Sequence, residues 1–335
     1  MMRGLNTKRQ SNIELLRILA MMFILFDHTH LRLSHMGLHD EVVQTPIASI
    51  FNTMMACIST TGVGIFIAIS GWYGIRFRKE GLAKYLYLVA FTLWAIYGAV
   101  IVCDITSFNI EGIKISFGFY HGYWFIMGYL GLYLISPILN TFIDHASKKE
   151  YQIVLLSYFL FQAYCSWLSG WYDYYDGYSI IMFGGIYLTA AYIRKYPIEV
   201  LKRHTGVIFT ATALLATCIA LLSQWKLGHA ARQIRDDNPL VILLCIMFVL
   251  GFSKIKFHSR LINWLAASCF AVYLIHFSPF VYPYFIQLVQ NVYAQYDGTT
   301  YTTILFLIFI AVYVACTLID QIRIVSWSLA KKLLF

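Results

Sequence analysis

Long apolar runs separated by short polar segments make up most of this chain. Most of these runs approach the roughly 20 residues that a helix needs to cross the hydrocarbon core of a bilayer. The ten runs cover residues 12–32, 47–73, 82–103, 121–142, 151–170, 178–194, 206–224, 238–254, 262–288 and 301–323. The pattern predicts an all-α, polytopic membrane helix bundle with about ten transmembrane helices. Pro279 and Pro283 predict a kink or a broken end in the ninth run, because proline lacks the amide hydrogen of a helix.

Composition agrees with a membrane protein. Of the 335 residues, 60% are hydrophobic and 12% are charged, whereas soluble domains average about 25% charged residues. The apolar runs take up most of the length, so we expect a single transmembrane domain over residues 1–335 with no appended soluble domain. The first run carries charges and is not followed by a small-residue cleavage site, so it does not read as a cleaved signal peptide.

Basic residues are distributed unequally between the connecting segments. If the N-terminus is cytoplasmic, the inner segments hold nineteen lysines and arginines and the outer segments hold five. This asymmetry follows the positive-inside rule for ten helices with both termini in the cytoplasm. It assigns the net charge of +9 to one membrane face, so we expect a lipid bilayer and no nucleic acid as the partner of that charge.

The first run is unusual because it carries charges at membrane depth. It reads IELLRILAMMFILFDHTHLRL over residues 13–33, with Glu14, Arg17, Asp27 and His28 among apolar side chains. A charge at the bilayer centre costs roughly 2.5–3.5 kcal/mol on insertion scales, so such residues often mark a pathway or a reacting centre. Arg17 and His28 are eleven residues apart, which places them on one helix face with a separation of roughly 16 Å.

Each of these residues also has a structural interpretation. Glu14 and Arg17 have i,i+3 spacing and can neutralise each other near the cytoplasmic interface. Asp27 suits either a reactive site or the membrane interface. His28 suits either catalysis or a hydrogen bond to a neighbouring helix.

Three further segments carry candidate chemistry. Trp124, Tyr129 and Tyr133 in the fourth run either line a ligand passage or anchor and pack their helix. His276 in the ninth run is a functional candidate because of its membrane depth, and it is also a candidate packing residue. A basic cluster after the second run either sets the topology or binds the phosphates of a cofactor. Its members are Arg76, Arg78, Lys79 and Lys84.

The cysteine pattern predicts no metal site. Seven cysteines occur singly in apolar surroundings, without CxxC or other ligand spacing. Such cysteines are typical of small buried hydrophobic positions.

Four segments together resemble the acyltransferase 3 family of bacterial integral-membrane acyltransferases. In order they are NIELLRILAMMFILFDH (12–28), FIAISGWYGI (66–75), YWFIMGYLGLYLISPIL (123–139) and CFAVYLIHFSPF (269–280). Arg17 and His28 keep the family's spacing of an arginine, ten residues and a histidine. The chain departs from the family in the fourth segment, where Cys269 replaces a serine, Ala271 replaces a glycine, and His276 is followed by Phe277 rather than directly by a proline. DDNPLVILL (236–244) is similar to a late helix of exopolysaccharide-modifying members.

The resemblance implies transfer of an acyl group, usually acetyl, in a bacterial cell membrane. The expected donor is cytoplasmic acetyl-CoA or another acyl-CoA, and the expected acceptor is a hydroxyl of an envelope glycan or its lipid-linked precursor. The resemblance points to His28 as the essential histidine and to Arg17 as its required companion. A homo-oligomer is compatible with such a bundle. The candidates for supporting roles are Asp27, Glu14, Trp124, Tyr133 and His276, and those for CoA binding are Arg76, Arg78, Lys79 and Lys84.

A proton-coupled secondary transporter or exporter of a glycan or small acid is the alternative function. Buried ionisable residues such as those of the first run suit proton coupling. Secondary transporters often contain inverted repeats with paired broken helices, and the sequence has no evident repeat. A structural membrane scaffold is a weaker alternative, because it has no need of charges at membrane depth.

Overall fold

The computed structural model describes residues 10–33, 46–168, 179–227, 235–296 and 298–334, and every regular element in these ranges is helical. In chain order the α-helices are α1 (Ser11–Leu33), α2 (Pro46–Ser59), α3 (Thr61–Tyr73), α4 (Lys79–Val102), α5 (Ile110–Ser116), α6 (Trp124–His145), α7 (Lys148–Gln162), α8 (Ile180–Lys195), α9 (Glu199–Arg203), α10 (Thr205–Leu227), α11 (Pro239–Ser253), α12 (Arg260–Ala266), α13 (Cys269–His276), α14 (Tyr282–Gln295) and α15 (Gly298–Leu334). A short 3-10 turn precedes α6, and a π-helical turn follows α7.

The predicted all-helical membrane bundle is confirmed. Each apolar run falls on one helix or on a group of helices within the described residues. Five helical stretches in those residues combine the length and the apolar composition needed to cross a membrane. They are Ile50–Tyr73, Lys79–Val102, Ile110–His145, Thr205–Lys226 and Thr299–Leu333. The chain is therefore a multi-pass membrane protein.

Capping side chains determine where several helices begin. Ser147 and Glu150 form a reciprocal capping box at the start of α7, which satisfies two otherwise unpaired backbone N–H groups. Asn238 caps α11 by accepting from the backbone N–H of Leu240 at 2.8 Å, and Pro239 follows at the first helical position, where no amide hydrogen is needed.

The ninth run is broken, as its prolines predicted. It forms the short helices α12, α13 and α14, and Pro279 lies in the connection between α13 and α14. The tenth run differs from prediction because α15 continues to Leu334. Its last turns contact α4 through Lys331 with Glu80 and through Ser326 with Tyr87.

Helix α1 lies between two hydrophobic clusters. Leu16 and Ala20 belong to a cluster built with α3, α6, α8 and α11. Ile24 and Leu25, one to two turns later, belong to a second cluster built with α4, α13, α14 and α15. The charged first helix is therefore the shared wall of both clusters.

Glycines in α3 allow neighbouring helices to approach closely. A Cβ atom at Gly62 would lie 2.7 Å from Cγ1 of Ile24 and 2.9 Å from the carbonyl oxygen of Ala20 on α1. A Cβ atom at Gly71 would overlap the backbone carbonyl of Tyr187 on α8. Small residues at such contacts are the usual means of tight helix packing in membranes.

Replacement of Gly71 by alanine tests this packing. Because the obstacle is backbone and not a flexible side chain, we expect Gly71→Ala to destabilise the protein by about 1–3 kcal/mol, the usual range for overpacking. Gly98→Ala in α4 is the matched control, since nothing lies within 4 Å of its Cβ position. The measurement is the apparent melting temperature of purified protein in detergent. Equal melting temperatures for the two variants would contradict the packing described here.

Candidate active site

A cavity of about 410 Å³ lies inside the bundle, and α1 forms one of its walls. Its lining contains Glu14, Arg17 and His28 from α1, together with side chains from α3, α4, α6, α13 and α15. Between the arginine and the histidine the α1 wall is apolar, with Met21 and Ile24 facing the cavity. One cavity therefore joins the two α1 residues that the sequence singled out.

Arg17 both pairs with Glu14 and lines the cavity. Its Nη1 atom lies 2.7 Å from Oε1 of Glu14, whose side chain is only 8% exposed, whereas the Arg17 side chain is 37% exposed. The local pairing that the sequence suggested is present, and it orients the guanidinium without removing it from the cavity. Because α1 is continuous from Ser11 to Leu33, the separation of Arg17 from His28 stays at roughly 16 Å.

The ring of His28 is hydrogen-bonded to His276. Nδ1 of His28 lies 2.9 Å from Nε2 of His276, and Nδ1 of His276 lies 2.6 Å from the carbonyl oxygen of Val272. A carbonyl oxygen only accepts, so we assign the proton of His276 to Nδ1. With both rings neutral, as burial away from water favours, Nδ1–H of His28 donates to Nε2 of His276. Nε2 of His28 then carries the basic lone pair.

Aromatic neighbours fix the orientation of His28. Phe277 stacks on its ring with a centroid distance of 4.0 Å and an interplanar angle of 22°. Tyr282 donates a hydrogen bond from Oη to the backbone carbonyl of His28 at 2.9 Å. These partners are about 250 residues away in sequence, so periodicity within the first run contains no signal for them.

The structure separates the remaining sequence-predicted residues into two groups. Trp124, Tyr133 and Lys84 line the cavity with Arg17 and His28, and His276 reaches it through its bond to His28. Asp27 and three members of the basic cluster do not line it. Those three members are the exposed residues Arg76, Arg78 and Lys79.

Asp27 lies apart from the cavity although it neighbours His28 in sequence. Successive helix residues diverge by about 100°, so the two side chains leave α1 in different directions. Within the described ranges, Oδ1 of Asp27 is buried and forms no hydrogen bond.

The loop that carries the basic cluster is held by polar side chains of α6 and α8. Oη of Tyr133 accepts from the backbone N–H of Arg78 and donates to its carbonyl oxygen, each at 3.1 Å. Asn140 donates to the carbonyl oxygen of Ile75 at 2.7 Å, and Tyr187 accepts from the N–H of Ile75 at 2.9 Å. The loop is thus fixed beside the cavity, whose lining includes Tyr133.

Arg323 is a cavity residue that the sequence interpretation missed. It belongs to the nineteen basic residues that the topology assigned to the inner segments, but it lies inside α15, where its side chain is 4% exposed and lines the cavity. Asp320 on the preceding turn binds it through two hydrogen bonds. The available signal was the i,i+3 spacing of an acid and an arginine, which Glu14 and Arg17 share.

The described residues contain no group of three histidine, cysteine, aspartate or glutamate side chains placed to hold a metal ion. The cavity lining brings together a histidine, three cations and apolar side chains.

Comparison with protein families gives one match over most of the chain. The family model described as "Acyltransferase domain" matches residues 10–320. The match begins just before α1 and ends within α15, three residues before Arg323. Comparison with curated proteins and with solved structures gives no match.

Proposed function

The chain belongs to the acyltransferase 3 family, and we propose that it moves an acyl group, such as acetyl, from cytoplasmic acyl-CoA to a hydroxyl of an envelope carbohydrate or its lipid-linked precursor. The observation that carries the proposal is the cavity in which Arg17 and His28 line one continuous wall. A donor that is anionic at one end and reactive at the other requires this combination of a cation, an apolar passage and a base.

The proposed reaction uses Nε2 of His28 as a general base. It takes the proton of the acceptor hydroxyl while the oxygen attacks the carbonyl carbon of the thioester. The carbon–sulfur bond then breaks, and the leaving thiolate receives the proton from His28. General-base catalysis of this kind typically contributes 10²–10⁴-fold. His276 acts as a positioning residue, because its acceptor nitrogen holds Nδ1–H of His28.

The distribution of cations supports donor entry from the basic membrane face. Arg76, Arg78 and Lys79 are exposed on or beside the loop that Tyr133 and Asn140 hold, where they are accessible to the phosphates of a large soluble donor. Arginine suits this role because its planar fork matches phosphate oxygens. The separation of Arg17 from His28, roughly 16 Å, favours contact of Arg17 with the donor over participation at the reacting carbonyl.

The apolar middle of the cavity supports the exclusion of water. Met21 and Ile24 from α1, with Phe125 and Phe270 from α6 and α13, line it together with His28. Water near the thioester would hydrolyse the donor, so a dry passage protects the acyl group before the acceptor arrives.

The proposed topology has ten transmembrane helices, with both termini of a single domain in the cytoplasm of a bacterial inner membrane. The excess of basic residues in alternate connecting segments supports it.

Thiol labelling in intact cells tests this topology. In a variant whose other cysteines are replaced by alanine, we expect a membrane-impermeant maleimide to label the exposed Cys103 at the end of α4, because this end faces outward in the proposal. A cysteine introduced at Lys148, at the start of α7, is expected to react only after permeabilisation. The reverse labelling pattern would indicate that the protein has the opposite orientation in the membrane.

Substitution of His28 tests the catalytic assignment. Purified protein is incubated with labelled acetyl-CoA and an extract of envelope glycans, and donor consumption and acceptor labelling are measured. We expect His28→Ala to fold but to react at least about 10²-fold more slowly. His258→Ala, which removes an exposed loop histidine, is expected to match wild type. Wild-type acylation by a folded His28→Ala protein would refute the assignment, and proton-driven uptake without donor consumption would favour the transporter.

Substitution of His276 tests whether this residue positions the ring of His28. His276→Leu removes the acceptor for Nδ1–H of His28, so we expect kcat to fall, on the order of the 10–100-fold loss seen for groups that orient metal-binding histidines, with little change in the donor KM. His276→Gln retains an acceptor oxygen and is expected to keep more activity. Equal loss in both variants, or a change in KM alone, would indicate that the contact only packs the helices.

A further inference from the structure

Arg323 combines burial with access to the cavity. Its Nε and Nη2 atoms donate to the two carboxylate oxygens of Asp320 at 2.8 and 2.6 Å. Within the described part of the chain, Nη1 forms no hydrogen bond, although the residue lines the cavity. The carboxylate therefore fixes the plane of the guanidinium and leaves one amino group for a ligand.

A stabilising role does not explain this pair. A buried ion pair loses hydration that its attraction does not always recover, and apolar replacements are often neutral or stabilising. The pair also lies in a helix whose other contacts with α4 already hold it, including Lys331 with Glu80 at 2.5 Å and Tyr87 with Ser326 at 2.8 Å.

The pairing of an arginine with a carboxylate on its own helix occurs twice in the cavity. Arg17 on α1 and Arg323 on α15 each pair with a carboxylate one turn earlier on their own helix, and both line the cavity. Lys84 contributes a third cation from α4. Tyr87 on α4 contacts Ser326 on α15 at 2.8 Å, so the helices that carry Lys84 and Arg323 lie side by side, and both residues line the cavity.

We propose that Arg323, held by Asp320, binds a phosphate group of the acyl-CoA donor inside the cavity. Guanidinium groups favour phosphate because the bonds are charge-assisted and directional. Glu14 and Asp320 offset the charges of the two arginines, which lowers the cost of burying these charges when no donor is bound. The guanidinium N–H groups that the carboxylates do not bind stay oriented. This assignment rests on the proposed function and adds the last helix to the donor site.

A charge-neutral double variant tests the assignment. Asp320→Asn with Arg323→Gln removes the cation without leaving a buried, unpaired carboxylate. The matched control is Arg235→Gln with Asp237→Asn, because Arg235 and Asp237 form another buried pair with two hydrogen bonds, at 3.1 and 3.0 Å, away from the cavity lining. If the double variant does not fold, Arg323→Lys is measured instead, since it keeps the charge and loses the planar fork.

The two donors to compare are acetyl-CoA and S-acetylpantetheine, which carries the same thioester and no phosphate. We expect the double variant to raise the KM for acetyl-CoA by about tenfold or more, from the loss of hydrogen bonds to a charged group. Its kcat, and its KM for S-acetylpantetheine, are expected to match wild type. Arg323→Lys is expected to show a smaller rise for acetyl-CoA, and the control pair none.

Three results would overturn the assignment. The first is an unchanged KM of the double variant for acetyl-CoA, and the second is an equal rise in KM for both donors. The third is a rise in KM that occurs only when anionic lipid is added to the detergent, which would assign Arg323 to a lipid headgroup. If wild-type protein consumes neither donor, the proposed function fails as well. If the wild-type protein is active and any of the three results is obtained, only the role of Arg323 is refuted, and the proposed function stands.

Discussion

Compensation of buried charge is the constraint on which the rest of this structure depends. Neither lipid nor apolar side chains solvate an ion, so an unpaired charge inside the bundle is costly. Glu14 with Arg17 and Asp320 with Arg323 meet this need within one turn of their own helices. Because each pair is local, the surrounding helices can present apolar side chains, and the space between them can stay open as a cavity.

The histidine contact depends on packing between distant parts of the chain. Nδ1 of His28 meets Nε2 of His276 only because α13 lies against α1, in the cluster that also buries Leu25. Gly62 lets α3 approach α1 closely at Ala20 and Ile24. The first helix is thus packed against both α3 and α13, and such rigidity suits a base that must keep one ring nitrogen directed at a substrate.

Much of the fold was predictable because membrane helices leave a direct trace in sequence. Apolar length predicted the helical runs, and Pro279 and Pro283 predicted the break between α13 and α14. The end of α15 was not predictable from hydropathy, since its last turns are held by contacts such as Lys331 with Glu80. Helix spacing placed Arg17 and His28 on one face, because a continuous helix fixes the relation between its own residues.

The sequence by itself determined the class of the protein, the charged face of α1 and the i,i+3 pairing of Glu14 with Arg17, all of which follow from local periodicity. Only the tertiary structure decided that His276 is the partner of His28, that Arg323 lines the cavity and that Asp27 does not. The physical reason is that depth along a helix can be read from residue number. The neighbour that a side chain meets depends instead on how separate helices rotate and pack.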